Sequence, residues 1–84
     1  MSAKEMFEEL GYKFVSDDIN YIIYEYDEIF RLKFDKNNKI IDIWCERPMY
    51  NTLDFEELQA INKQIEELEW NKWKQIMYIK IVEH

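Results

Sequence analysis

The chain is short of the residues that loosen or cross-link a polypeptide. It has a single glycine, Gly11, and a single proline, Pro48, in 84 residues. That leaves no Gly-rich phosphate loop and no flexible linker. One cysteine, Cys45, and one histidine, the terminal His84, are present. A lone cysteine excludes an internal disulfide and suits a reducing cytoplasm, and no zinc ligand set can be assembled from this pair. Nucleophilic catalysis needs a nucleophile with an oriented base, and the hydroxyl supply is only Ser2, Ser16 and Thr52, besides the tyrosines. Residues 1–10 interleave charged and apolar side chains, unlike the long apolar core of a secretory leader. No run approaches the ~18 apolar residues of a membrane span.

Aromatic residues and acid are abundant. Five Phe, six Tyr and three Trp occur, each able to bury roughly 150–250 Å². At about 25 cal/mol per Å² that is a gross gain of about 4–6 kcal/mol for each fully buried ring, an upper bound. With 48% apolar residues the chain is expected to fold despite its high charge, and at this length residues 1–84 make one domain. The net charge is −7 and is unevenly placed: −6 over residues 1–28, +2 over 29–53, −5 over 54–69 and +2 over 70–84. Such a field repels nucleic acid and anionic membrane and favours cationic partners. Plain solubility is the simpler use of it.

Ser2 and Glu5 are spaced as a capping box, and Ala3, Met6, Phe7 and Leu10 follow on one helical face. Gly11 then supplies the positive φ that stops a helix, with Phe7 and Tyr12 placed for the accompanying contact. This predicts a helix over 3–10. From Tyr12 the period changes to two. Short strands are expected at Tyr12 to Val15, Tyr21 to Tyr26, Ile29 to Phe34 and Ile40 to Glu46. Asp17-Asp18 with Asn20, Asp27-Glu28 and Asp35 to Lys39 supply the turns, an Asn taking positive φ in the last. Phe30, Leu32 and Phe34 share one face, as do Ile41, Ile43 and Cys45. Cys45 is therefore read as core rather than as a reactive thiol, with Arg47 the only electropositive neighbour in sequence. Pro48 ends the last of these strands, and Met49 to Leu53 form a loop.

Asp54 and Glu57 make a second capping box, with Leu53 and Leu58 at the staple positions. Phe55, Leu58, Ile61, Ile65 and Leu68 form an apolar stripe at helical spacing, so a helix is expected from 55 to about 69. The tail from Trp70 to His84 reads either as a strand, by its β-branched Gln75 to Val82, or as a continuation of that helix. The strand is preferred. The fold class is α+β: a short N-terminal helix, a three- to four-stranded antiparallel meander, one longer packing helix and a possible C-terminal strand.

Asp17-Asp18 and Glu25, Asp27 and Glu28 lack the spacing of a dedicated calcium loop. No catalytic, metal or cofactor residues are therefore assigned. An aromatic sheet with basic neighbours can stack single-stranded nucleic acid. Tyr21, Tyr24, Tyr26, Phe30, Phe34 and Trp44, with Arg31, Lys33, Lys36 and Lys39, would supply it, but the flanking acid opposes that use.

The segments SAKEMFEELGYKF (2–14), FDKNNKIIDIW (34–44) and FEELQAINKQIEELEW (55–70) resemble small uncharacterised proteins encoded by phages and prophages of low-GC Gram-positive bacteria. The resemblance covers residues 2–70. It departs at Glu69, where the closing EELGW motif has Gly, which weakens the expected helix stop, and in continuing past Trp70. No catalytic residues transfer with it. It implies an intracellular, non-enzymatic accessory protein of a mobile element that binds a protein partner with a basic surface, such as a host nuclease or defence component. Self-association through the apolar tail as a homodimer is the alternative. The expected contact surface is Glu66, Glu67, Glu69, Trp70 and Trp73. Exposed carboxylates opposing a helix dipole suit a binding face, and tryptophans are common interface anchors.

Overall fold

The structure, a computed structural model, describes residues 1–46 and 52–70. Two helices, α1 (Ala3–Glu9) and α2 (Phe55–Glu67), bracket four strands: β1 (Lys13–Asp17), β2 (Tyr21–Tyr26), β3 (Phe30–Asp35) and β4 (Ile40–Cys45). The strands form one antiparallel meander in chain order, so the fold is α+β. The strand or helix expected after Trp70, and the strand-ending role of Pro48, lie outside the described residues.

Helix α1 starts and stops by local chemistry. Ser2 Oγ accepts from the Glu5 amide while Glu5 reaches back to the Ser2 amide. At its end the Gly11 amide donates to Glu8 O at 3.0 Å and the Tyr12 amide to Phe7 O at 2.9 Å. These are the two bonds of a Schellman stop, and Gly11 has φ +95°. Gly11 is also crowded: a Cβ there would stand 3.1 Å from Tyr26 Cε2. Tyr12 belongs to this stop, so β1 begins at Lys13 rather than Tyr12.

Strand β1 pairs Phe14 with Tyr24 and Ser16 with Ile23, leaving Val15 as a bulge on the outermost strand among the described residues. The β2–β3 turn is held by Ile29 N to Tyr26 O at 3.1 Å, with Asp27 at φ +51° and Glu28 at φ +60°. Two positive φ values mark a type I′ turn, the geometry usually given to Asn-Gly. Ile29 thus belongs to the turn, and β3 starts one residue later than the alternation suggests. In the β3–β4 turn the positive φ falls on Lys39, at +56°, not on an asparagine as expected. The Asp35 carboxylate accepts both the Asn37 and Asn38 amides at 3.0 Å. It holds those residues at negative φ and pushes the reversal to Lys39.

Tyr24, Leu32 and Phe34 are fully buried on the helix-covered face, together with Ile22 and Phe30. Phe7 of α1 stacks on Tyr24 with centroids 4.1 Å apart. Ala3 and Ala60, both without exposed surface, let α1 and α2 approach closely. Cys45 is half-buried against this core. Ile43, expected in the core with Ile41 and Cys45, is exposed, because β4 forms the sheet margin among the described residues.

Of the apolar stripe predicted for α2, Ile61, Ile65 and Leu68 meet the core, but its first turn is corrected. Phe55 is 72% exposed and Leu58 44%, while Ala60, Ile61 and Gln64 are buried. Hydrogen bonds supply the reason. Tyr24 Oη donates to Gln64 Oε1 at 2.6 Å, and Tyr12 Oη donates to the Glu57 carboxylate. These two tyrosines draw a mixed face, Glu57, Ala60, Ile61, Gln64 and Leu68, onto the sheet. A count of apolar residues alone cannot see polar members of a buried face. The helix also stops without the glycine of the resembled motif. Glu69 itself takes φ +62°, and its amide donates to Glu66 O at 3.0 Å. Left-handed backbone costs a non-glycine residue about 1–2 kcal/mol. The next residue, Trp70, is buried against Phe34 with centroids 6.3 Å apart, and a buried indole is worth about 4–6 kcal/mol gross. Burial of Trp70 therefore outweighs the backbone cost at Glu69 and sets the turn.

Candidate functional site

Of the residues proposed from sequence as a contact surface, one is not at the surface. Trp70 is 3% exposed and belongs to the core, a correction to its reading as an interface anchor. Glu67 accepts from the Ala3 amide at 2.8 Å, so it ties α2 to the first turn of α1, where the backbone dipoles favour a carboxylate. That gives Glu67 a structural use the sequence did not disclose. Glu66 is exposed and lies 3.4 Å from Lys63 Nζ. Glu69 occupies the left-handed stop. Trp73 lies outside the described residues.

The aromatic sheet considered for nucleic acid is likewise divided. Tyr24, Phe30 and Phe34 are buried under the helices. On the opposite face Arg31 pairs with Glu25 at 2.7 Å and Lys33 with Asp42 at 3.9 Å, and Lys36 meets Asp17 at 2.7 Å. The bases nearest the remaining aromatics are therefore partly neutralised by the sheet's own acids.

A different site emerges where three local devices meet at one end of the sheet. The α1 stop delivers Tyr12. The type I′ turn delivers Tyr26, Asp27 and, one residue beyond, Phe30. The capping box of α2 delivers Asp54 and Glu57. Between them lies a cleft of about 420 Å³. Its aromatic wall is continuous: Tyr12 lies 5.4 Å from Tyr26 and 6.3 Å from Phe30 between ring centroids. Three carboxylates line it, and among the described residues no lysine or arginine does.

Glu57 is fixed from three directions. Its Oε2 accepts from Tyr12, its Oε1 accepts from the Asp54 amide at 3.0 Å, and its own amide donates to Asp54 Oδ1 at 2.8 Å. Burial raises the Tyr12 hydroxyl far above its usual range, and donation to Glu57 and the charges of Glu57 and Asp54 push it further the same way. Tyr12 is therefore held neutral as a donor and cannot act as a base at ordinary pH. The side chain of Asp27 makes no hydrogen bond or ion pair among the described residues. No set of three or more His, Cys, Asp or Glu among the described residues could hold a metal ion. The arrangement can neutralise a positive charge against an apolar wall.

Sequence reading missed this cleft because each contributor had a sufficient local explanation: a helix stop, a turn, a cap. Only the tertiary placement brings residues 12, 26–30 and 54–57 together. No helix among the described residues is long and apolar enough to cross a membrane. Comparison with known proteins gives no match to a family model, to a curated protein or to a solved structure.

Proposed function

We propose that this chain is a non-enzymatic binding protein whose partner is a protein with a basic surface. The observation that carries this is the cleft: aromatic walls, three carboxylates and no cation among the described residues of its lining, on a chain of net charge −7. A site of this composition attracts cationic groups by field and by ring quadrupole together. The resemblance to phage and prophage proteins supports an accessory role in the cytoplasm of a bacterial host. There a nuclease or another defence component has the required basic face.

The test is affinity capture from host lysate at low and high salt, with an Asp27→Lys bait as control. A basic protein retained at low salt, released by salt and lost with the variant is the expected result. Retention that neither salt nor charge reversal weakens overturns the reading.

A second reading, homodimerisation, is favoured by one observation. Strand β4, at the sheet margin among the described residues, exposes Ile40, Ile43 and Trp44, and exposed apolar edges invite pairing with another chain. Sedimentation of the purified chain separates the two readings, because a concentration-dependent dimer lost in Trp44→Lys supports the second.

A further inference from the structure

From this cleft we infer a specific ligand chemistry: it receives the guanidinium of an arginine side chain, so the partner's basic surface presents an arginine here. This rests on the basic-partner reading and deepens it. The geometry selects arginine over lysine. The rings of Tyr12, Tyr26 and Phe30 line the cavity, with Tyr26 still 42% exposed, and a planar guanidinium stacks on an aromatic face where a compact ammonium does not. The carboxylates of Asp27, Asp54 and Glu57 share the lining, Asp27 from the β2–β3 turn and the other two from the capping box of α2. A fork of five N–H donors can reach more than one of them, whereas an ammonium acts as a point charge. Arginine is also the more weakly hydrated cation, and so leaves water for a half-apolar cleft at lower cost.

The carboxylates differ in readiness. Both oxygens of Glu57 are engaged by Tyr12 and the Asp54 amide, so Glu57 is a fixed wall. Asp54 has Oδ1 on the Glu57 amide, so one of its two oxygens is committed to the cap. Asp27, on the β2–β3 turn beside Tyr26, is the acceptor with no side-chain bond of its own among the described residues. It is therefore the residue whose loss separates ligand binding from folding. Asn is better tolerated than Asp at the positive φ Asp27 adopts, so Asp27→Asn removes the charge without threatening the turn.

The experiment is an NMR titration of the full chain with N-acetylarginine amide, beside the lysine and citrulline amides. Expected are saturable shifts of the Tyr12, Tyr26 and Phe30 rings with arginine, weaker ones with lysine and none with the neutral citrulline. The Asp27→Asn variant should bind arginine about tenfold more weakly with no fall in its melting temperature. Equal response to all three probes, or shifts elsewhere, overturns the arginine assignment. An arginine-rich peptide keeps the two proposals apart. If it binds in a salt-dependent way without perturbing Tyr12, Tyr26 or Phe30, the cleft assignment fails and the basic-partner reading stands. If it does not bind at all, both fail.

Discussion

The Tyr24 hydroxyl donates to the Gln64 side-chain oxygen at 2.6 Å across the buried sheet–helix interface. Gln64 is 4% exposed, and this bond, with that of Tyr12 to Glu57, holds its face of α2 inward. A buried polar group that loses its partner costs about 1–3 kcal/mol, whereas replacing both partners with apolar groups can be nearly neutral. Tyr24→Phe and Gln64→Ala should each destabilise by about 1–3 kcal/mol in denaturant melts, and Tyr24→Phe/Gln64→Leu should recover most of the loss. Additive costs in the double variant would show that the pair does not act as a unit.

Gly11 meets two demands, positive φ and the nearness of Tyr26. Gly11→Ala should cost about 1–2 kcal/mol. A change near zero in equilibrium unfolding would mean the helix stop is not built this way.

The β2–β3 turn carries two non-glycine residues at positive φ. Glu28→Gly should therefore stabilise the protein by about 0.5–1 kcal/mol, since glycine removes the left-handed strain. Pairing it with Asp27→Asn should add to the gain. A loss of stability would argue against a type I′ turn at this position.

Acid and alkali should weaken the fold through different groups. The Ser2 amide and hydroxyl lower Glu5, the Tyr21 and Asn20 amides lower Asp18, and the Asn38 side chain and backbone with the Asn37 amide lower Asp35. A carboxyl lowered in the folded state stabilises above its unfolded value and loses that contribution as pH falls through the folded one. Stability should therefore drop below the ordinary carboxylate range, and Asp35→Asn should flatten that limb. The Tyr12 and Tyr24 hydroxyls are raised, chiefly by burial. Their contribution is complete below the ordinary value of 10.0 and is lost as pH rises above it. Tyr24→Phe should flatten the alkaline limb of a melting-temperature profile, and an unchanged limb would contradict this.

Local chemistry made much of the fold legible. Both capping boxes, the Gly11 stop, strand β2 and the alternation of Phe30, Leu32 and Phe34 follow from side chains within a few residues of one another. What escaped was set at a distance. Gln64 and Glu57 face inward because Tyr24 and Tyr12, some forty residues away in sequence, need partners. Trp70 lies in the core because Phe34 awaits it. The cleft has no signature of its own in the chain, since it exists only where a stop, a turn and a cap are brought to the same end of the sheet.

The most direct test of the central claim is the affinity of the peptide acetyl-Ala-Arg-Ala-amide, by isothermal titration, for the native chain and for Asp27→Asn over a range of salt. Native protein should bind more tightly at low salt, by about tenfold, with the gap narrowing as screening increases. Equal affinity of the two proteins at every salt concentration would contradict the assignment of this cleft as the site that receives a basic partner.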